Sequence, residues 1–510
     1  MLKDKDNQLS IYSILYNKIP KNHTLKLINE AIDLTFVTKL LEESYSKTQG
    51  RPAKNPELML RILILQYLYN LSDERIIEEA SLNLAYMWFL GINPDEDLPD
   101  PSLLSKFRVY RLKDVALDEI ITEIVRQCVE KGIIKDTAVS VDATHTSANT
   151  FKSTPERVMK HLAKKIFKTY EKETGELPEN IDINIPNYKE IEDHKEAKRT
   201  MKEYLESQIQ IFDNIIDPEK QSKTLKLIEN AKEILKDPKF IEQRGVRSII
   251  DQEARVGHKT KTDHFFGYKT EFAMTTDERI ITAVTVSDGA YVDGTDFTRL
   301  MELTEKTGLD IQEVYGDKAY FRKPILNKIN EMEAKPYIPV SASVYRIDEE
   351  KFSYNKDSDE WFCSEGNKTV SKKYKVDKKG RQTLQYLFEK EQCRNCSNRS
   401  ECKPGNRIAR MLVLGINTPE FYVYSQEQKT DEFQEKYKSR AGHEGKNGEM
   451  KNHHGLGRAR GYGQRSMSTQ AKLTAIAVNL KRIAGILSSK MSLFLNVFTF
   501  NIRIYEICVI

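Results

Sequence analysis

Three carboxylates stand out by type and setting. Asp142 falls near the end of a predicted strand in TAVSVDATHTSANT, where Val139, Val141 and Ala143 alternate with Ser140, Asp142 and Thr144 at the two-residue period of a strand. Asp317 follows Gly316 at the end of a second short run, IQEVYGD. Glu444 sits in EKYKSRAGHEGKNGEMK with Tyr437, Arg440 and Lys451. Steps of three, four and seven positions at about 100° per residue put those four within roughly 60° of one another, on one helical face. Acids fixed at strand ends and along a helix edge suit phosphoryl transfer with two divalent cations. One cation activates a water or hydroxyl, and the other stabilises the leaving oxygen. Mg²⁺ takes oxygen ligands and keeps waters, so two or three carboxylates suffice. An arginine beside such an acid can grip a phosphate through two parallel hydrogen bonds. Each feature also has a plainer reading. A lone strand-end Asp is ordinarily a turn residue, and Arg440 with Glu444 is also an i,i+4 surface pair. Gly442, Gly445 and Gly448 each disfavour a helix by about 1 kcal/mol relative to Ala. The expectation is a helix that bends or frays near Gly445, with Gly448 at the edge of the face permitting close approach.

A second cluster is Cys393-x2-Cys396-x5-Cys402 with Cys363 upstream. Four thiolates match tetrahedral Zn²⁺, although only one half has knuckle spacing, and the alternative is a set of free thiols. Cys128 and Cys508 read as packing residues. A third feature is positive charge: from Lys438 to Arg482 there are ten Lys/Arg and two Glu. Within it GLGRARGYGQRS carries Arg458, Arg460 and Arg465 between glycines, a segment that could meet phosphates or serve as a basic linker. His443 reads as incidental or facing the same polyanion, and His453-His454 is a weak metal signal.

Several kinds of element must position these groups. The 510 residues carry 39% hydrophobic and 31% charged residues and a net charge of +4, a globular pattern with solvated helices and no overall charge bias toward one partner. The N-terminus has no signal-peptide core, no run reaches the roughly 18 apolar residues of a membrane helix, and six cysteines do not make a disulfide scaffold, so a cytoplasmic protein is expected. Residues 1–115 read as short helices in a helix-turn-helix-like bundle, capped by Asn55, Ser72 and Asp100. On its last helix Ser105, Lys106, Arg108 and Arg111 could face phosphate or simply solvent. Residues 116–151 contain the Asp142 strand, 152–243 a Lys/Glu-rich helical insertion, and 244–340 two strands about a TDE turn, a helix, the Asp317 strand and a further strand. Residues 341–430 form a cysteine-containing insertion, and 431–487 contain helices over 431–451 and about 467–486. The tail 488–510 is apolar and is read as an irregular end. This mixed α/β order resembles a ribonuclease H-like core with a helical N-terminal domain and two insertions.

The Tyr437-x2-Arg440-x3-Glu444-x6-Lys451 pattern is similar to the Y-R-E-K signature of bacterial insertion-sequence DDE transposases. VDATHTSANT and YGDKAY resemble the segments that hold that family's first two aspartates, and the N-terminal region resembles its InsH-type domain. The resemblance covers most of residues 40–485. It implies that Asp142, Asp317 and Glu444 hold two Mg²⁺ or Mn²⁺ ions, and that Arg440 and Lys451, with Tyr437 beside them, contact DNA near the cut. It also implies cleavage at terminal inverted repeats, transfer of the 3′ ends to target double-stranded DNA, a homodimer in the DNA complex and a place on the nucleoid. The related cysteine-rich insertion supports structural zinc. The alternative is a catalytically decayed transposase that only binds DNA, and a plain nuclease of the same fold is a third option.

Overall fold

The computed structural model describes residues 12–46, 52–242, 245–260, 262–378, 380–402 and 408–508. Its centre is a mixed sheet of β1 (Ala138–Ser147), β2 (Arg255–His258), β3 (His264–Thr275), β4 (Ile281–Asp288), β5 (Glu313–Tyr315) and β6 (Lys335–Tyr337). β3 runs antiparallel to β1 on one side and to β4 and β2 on the other. β5 lies parallel to β1, and β6 parallel to β5. Three antiparallel strands followed by two parallel ones are consistent with a ribonuclease H-like core. β4 is buried along its first six residues, because helices Asp114–Glu130, Phe297–Glu305 and Gln464–Cys508 pack on it.

The N-terminal helices start where the caps require. Asn55 accepts from the Glu57 N–H, Ser72 from Arg75 and Asp100 from Ser102, with Pro56 and Pro101 at the first helical turn. One hydrophobic cluster runs from Leu25 through Ile62, Leu104 and Val125 to Val141, Phe272 and Ile476. The N-terminal helices and the sheet therefore share a core, which sequence periodicity did not reveal.

Helices Pro155–Thr174, His194–Asp213 and Ser222–Lys236 close around a core of their own that includes Met159, Leu205 and Phe212. The chain leaves and re-enters this region at one place, since Lys152–Ser153 pairs antiparallel with Arg247–Ser248. A third core gathers Phe352, Trp361, Tyr386, Phe388 and Leu412 among the strands of residues 352–415.

Two expected elements differ. The 431–451 helix is broken: Asp431–Tyr437 is α-helical, Lys438–Ala441 is a 3-10 turn, and Gly442–His453 is α-helical again. The irregularity falls before the glycines, and the helix continues through Gly445. The tail is not irregular, because residues up to Cys508 continue the helix that begins at Gln464. Among the described residues no helix is long and apolar enough to cross a membrane.

Candidate active site

Strand pairing sets the two aspartates side by side. The parallel pairing of β1 with β5 ends at Ser140 opposite Tyr315. Asp142 and Asp317 each lie two residues beyond that rung, so both follow the same face past the point where the strands part. Contrary to the expectation from the sequence, Asp142 does not end its strand. β1 continues to Ser147 along β3, and beyond Ser140 only its β5-side edge is open. Asp317 accepts the Ala319 N–H at 2.8 Å, which fixes the turn.

The helix Gly442–His453 lies over β1. Arg440 Nη2 stands 3.4 Å from Asp142 Oδ1, and Asn447 Nδ2 donates to Asp142 Oδ2 at 3.2 Å. Asn447 Oδ1 and Arg440 Nε are buried without a partner. Burial pushes the Asp142 carboxyl up to about 6; Arg440 pulls it down, and Asp317 and Asp293 add like charge. Lys451 Nζ reaches His145 Nδ1 at 3.4 Å. Burial brings Lys451 down to about 8, helped by Lys259 and opposed by Asp142. The Tyr437 ring stacks on Phe433, with centroids 5.9 Å apart, and feels the charges of Arg440, Asp317 and Asp142.

Glu444 is exposed, with no hydrogen bond or ion pair to Asp142 or Asp317. Asn447, three residues on and so about 60° around the helix, is the side chain turned to the strand. Sequence reasoning missed Asn447; its offset of seven from Arg440, one heptad, was the available signal. Tyr437, Arg440, Glu444 and Lys451 thus do not share one unbroken helix, and Glu444 lies on the solvent side of its own. Among the described residues no three His, Cys, Asp or Glu side chains are arranged to hold a metal ion. The donor chemistry nonetheless suits a hard cation: two neighbouring carboxyls, one strongly desolvated, and an orphaned amide oxygen.

His443 does not face a polyanion. It is fully buried, with its ring 4.8 Å from that of Phe272, and burial brings it down to about 4. His454 is buried with Nδ1 2.8 Å from the Tyr67 carbonyl. Gly445 and Gly448 have open space where a Cβ would stand, whereas a Cβ on Gly442 would meet Arg279 Nε at 3.2 Å.

Several cations expected to meet phosphate are engaged within the protein. Arg108 pairs with Asp73 and donates to Gln66 at 3.2 Å. Arg460 donates to Asn70 Oδ1 at 2.7 Å and lies over the Tyr67 ring; Arg465 donates to the Val109 carbonyl at 2.6 Å. The glycine-rich segment is a strap rather than a linker. Ser147 N–H donates to the Gly457 carbonyl at 3.1 Å and Ala459 N–H to the Ser147 carbonyl at 2.8 Å, while Gly455, at φ +74°, passes so near Asn70 that a Cβ would come within 2.5 Å. Arg458 and Lys106 remain exposed. Arg460→Ala is accordingly expected to lower the melting temperature and leave the salt dependence of DNA binding unchanged. Arg458→Ala should reduce the slope of log K against log salt by about one. Melting curves and a salt titration of DNA binding check both.

The four cysteines gather in one place. Cys363, Cys393, Cys396 and Cys402 line a cavity of about 30 Å³ with Phe388, Arg399 and Arg410, and all are free thiols. Burial raises the Cys402 thiol, and the other three add to that rise.

Residues 13–109 match a family described as a transposase domain (DUF772), and residues 362–484 match a transposase DDE domain. The chain carries the domains of an insertion-sequence DDE transposase. The second family is one of enzymes that cleave and transfer DNA strands. The second match takes in the cysteine cluster and the Glu444 helix; Asp142 and Asp317 of the transposase lie outside both matches. No solved structure matches the chain.

Proposed function

We propose that the transposase cuts at the terminal inverted repeats of its element and joins the freed 3′ ends to target DNA, with Asp142, Asp317 and Glu444 as its acids. The observation that carries this is the pairing of β1 with β5, which brings Asp142 and Asp317 near each other beneath the 3-10 turn bearing Arg440 and the helix bearing Lys451. The two aspartates would hold Mg²⁺ or Mn²⁺, with Glu444 joining them when DNA is bound. The cations supply charge that activates the attacking oxygen and stabilises the leaving one. Arg440 offsets phosphate charge beside the cut, and Lys451 does so further along β1, beside His145. Tyr437 walls the same side. Positioning and charge stabilisation dominate such in-line transfers. Two ends must be held together, so the active complex is at least a homodimer on double-stranded DNA, in the cytoplasm on the nucleoid.

The alternative is a decayed transposase that binds without cutting, and the outward Glu444 favours it. Incubating the protein with its element's end DNA and Mg²⁺ or Mn²⁺ separates the two. New 3′-hydroxyl ends at the repeat boundary support the enzyme, and binding without any cut in either metal supports the alternative. End-independent cutting would indicate a plain nuclease.

We also infer structural zinc at the cysteine cluster, because four thiols lining one small cavity offer the sulfur donors that tetrahedral Zn²⁺ takes. The protein is expected to carry about one zinc per chain, and Cys393→Ser to lose it and unfold more readily. Atomic absorption returning no zinc on protein purified without chelator removes the idea.

A further inference from the structure

Glu271 lies on β3 opposite Ala143, one residue along β1 from Asp142, and is 2% exposed. Its carboxylate accepts from two separate loops. The loop after β4 supplies the Tyr291 hydroxyl at 2.9 Å and the Gly294 N–H; the turn after Asp317 supplies the Tyr320 hydroxyl at 3.0 Å. The first loop carries Asp293, which pairs with Lys269 of β3 at 2.7 Å and whose charge reaches Asp142. The second is closed by the Tyr320 N–H donating to the Asp317 carbonyl at 3.0 Å.

Both loops also close on one ring. Tyr320 is 1% exposed, with its centroid 6.4 Å from that of Phe297. A Cβ on Gly294, which sits at φ +82°, would come within 3.1 Å of the Tyr320 ring, and one on Gly316 within 3.2 Å of its Cβ. Glycine at both positions admits these approaches without displacing the ring, and at Gly294 the positive φ also favours it. A buried carboxylate with three donors holds its surroundings more firmly than packing alone, since deleting it leaves two buried donors and a half-buried one without their acceptor.

We propose that Glu271 is a positioning residue that ties the Asp293 loop and the Asp317 turn to one rung of the sheet and so sets the spacing of those two acids about Asp142. This rests on Asp142 and Asp317 being acids of the site, but loop order can be read without any cleavage.

The test is hydrogen exchange of the full chain without metal, followed over residues 289–297 and 317–322. Glu271→Ala is expected to speed exchange about tenfold or more in both segments and to leave the N-terminal helices unchanged. Glu271→Gln retains an amide oxygen for Gly294 and Tyr320, so its exchange should stay within about threefold of the native protein. Mn²⁺ affinity by calorimetry should fall about tenfold in the Ala variant and less in the Gln variant. Unchanged exchange in either segment of Glu271→Ala overturns the proposal, as does equal loosening by Ala and Gln. If Glu271→Ala does not fold, Tyr320→Phe decides: faster exchange confined to 317–322 supports the tie, and no change overturns it. A native protein that never cuts DNA would sink the proposed function while leaving the exchange result intact. Tight loops in a cleavage-dead Glu271→Ala would sink this inference alone.

Discussion

Asp142→Asn is expected to abolish strand cleavage and, in the absence of metal, to make the protein more stable. The two effects have one cause. The Asp142 carboxyl is raised from its usual value to about 6 because burial penalises its charge by more than Arg440 and the Ala143 N–H relieve, with Asp317 and Asp293 adding to the penalty. Its folded-state value lies above the unfolded one, so ionised Asp142 destabilises the fold. That cost is full well above pH 6, declines as pH falls through 6 toward 4, and is absent below the unfolded value. Asn removes the cost, and a shift of this size corresponds to on the order of 2 kcal/mol at pH 8. The same charge is what a divalent cation needs, so its loss should lower cleavage on the order of a thousandfold. Melting curves in chelator at pH 8 and pH 4.5 should show a stabilised variant at the first and roughly a third of that difference at the second. Retained cleavage by the variant, or a lower melting temperature at pH 8, would contradict the assignment.

The part of this arrangement that could be read from sequence is the part governed by local rules. Asn55, Ser72 and Asp100 cap their helices because cap chemistry depends on two or three neighbouring residues. Asp142 and Asp317 were legible as strand-borne acids because alternation and a Gly-Asp stop are local patterns too. Their adjacency needed the register of β1 with β5, which no local pattern encodes. The arginines failed for the same reason. Arg108 and Arg460 are spent on Asp73 and Asn70, partners that only tertiary packing brings near. Glu271 was invisible because one buried Glu in a strand reads like any other until the loops carrying Tyr291 and Tyr320 fold over it. The helical wheel drawn from Tyr437 to Lys451 found the correct face but assumed an unbroken helix. The 3-10 turn Lys438–Ala441 separates Tyr437 from the rest, and Asn447 rather than Glu444 meets Asp142.

That turn makes Glu444 the sharper test of mechanism. A 3-10 stretch between two α-helical pieces is a common place for a hinge. Asn447 and Glu444 are about 60° apart on the helix that follows it, so a modest roll about Lys438–Ala441 exchanges one for the other over Asp142. Phosphate drawing Arg440 away from Asp142 would release one of the two contacts this segment makes with Asp142. Glu444→Gln is therefore expected to leave the metal-free protein as stable as the native one, within about 0.5 kcal/mol, because the side chain is exposed. It should still cost on the order of a hundredfold or more in cleavage, measured in single turnover so that chemistry is separated from product release. Asn447→Ala should show a different pattern. It frees the helix from Asp142, so cleavage should fall far less than in Glu444→Gln. Native cleavage by Glu444→Gln together with a dead Asn447→Ala would reverse the roles, leaving Asn447 as the helix's ligand and Glu444 as an ordinary surface acid.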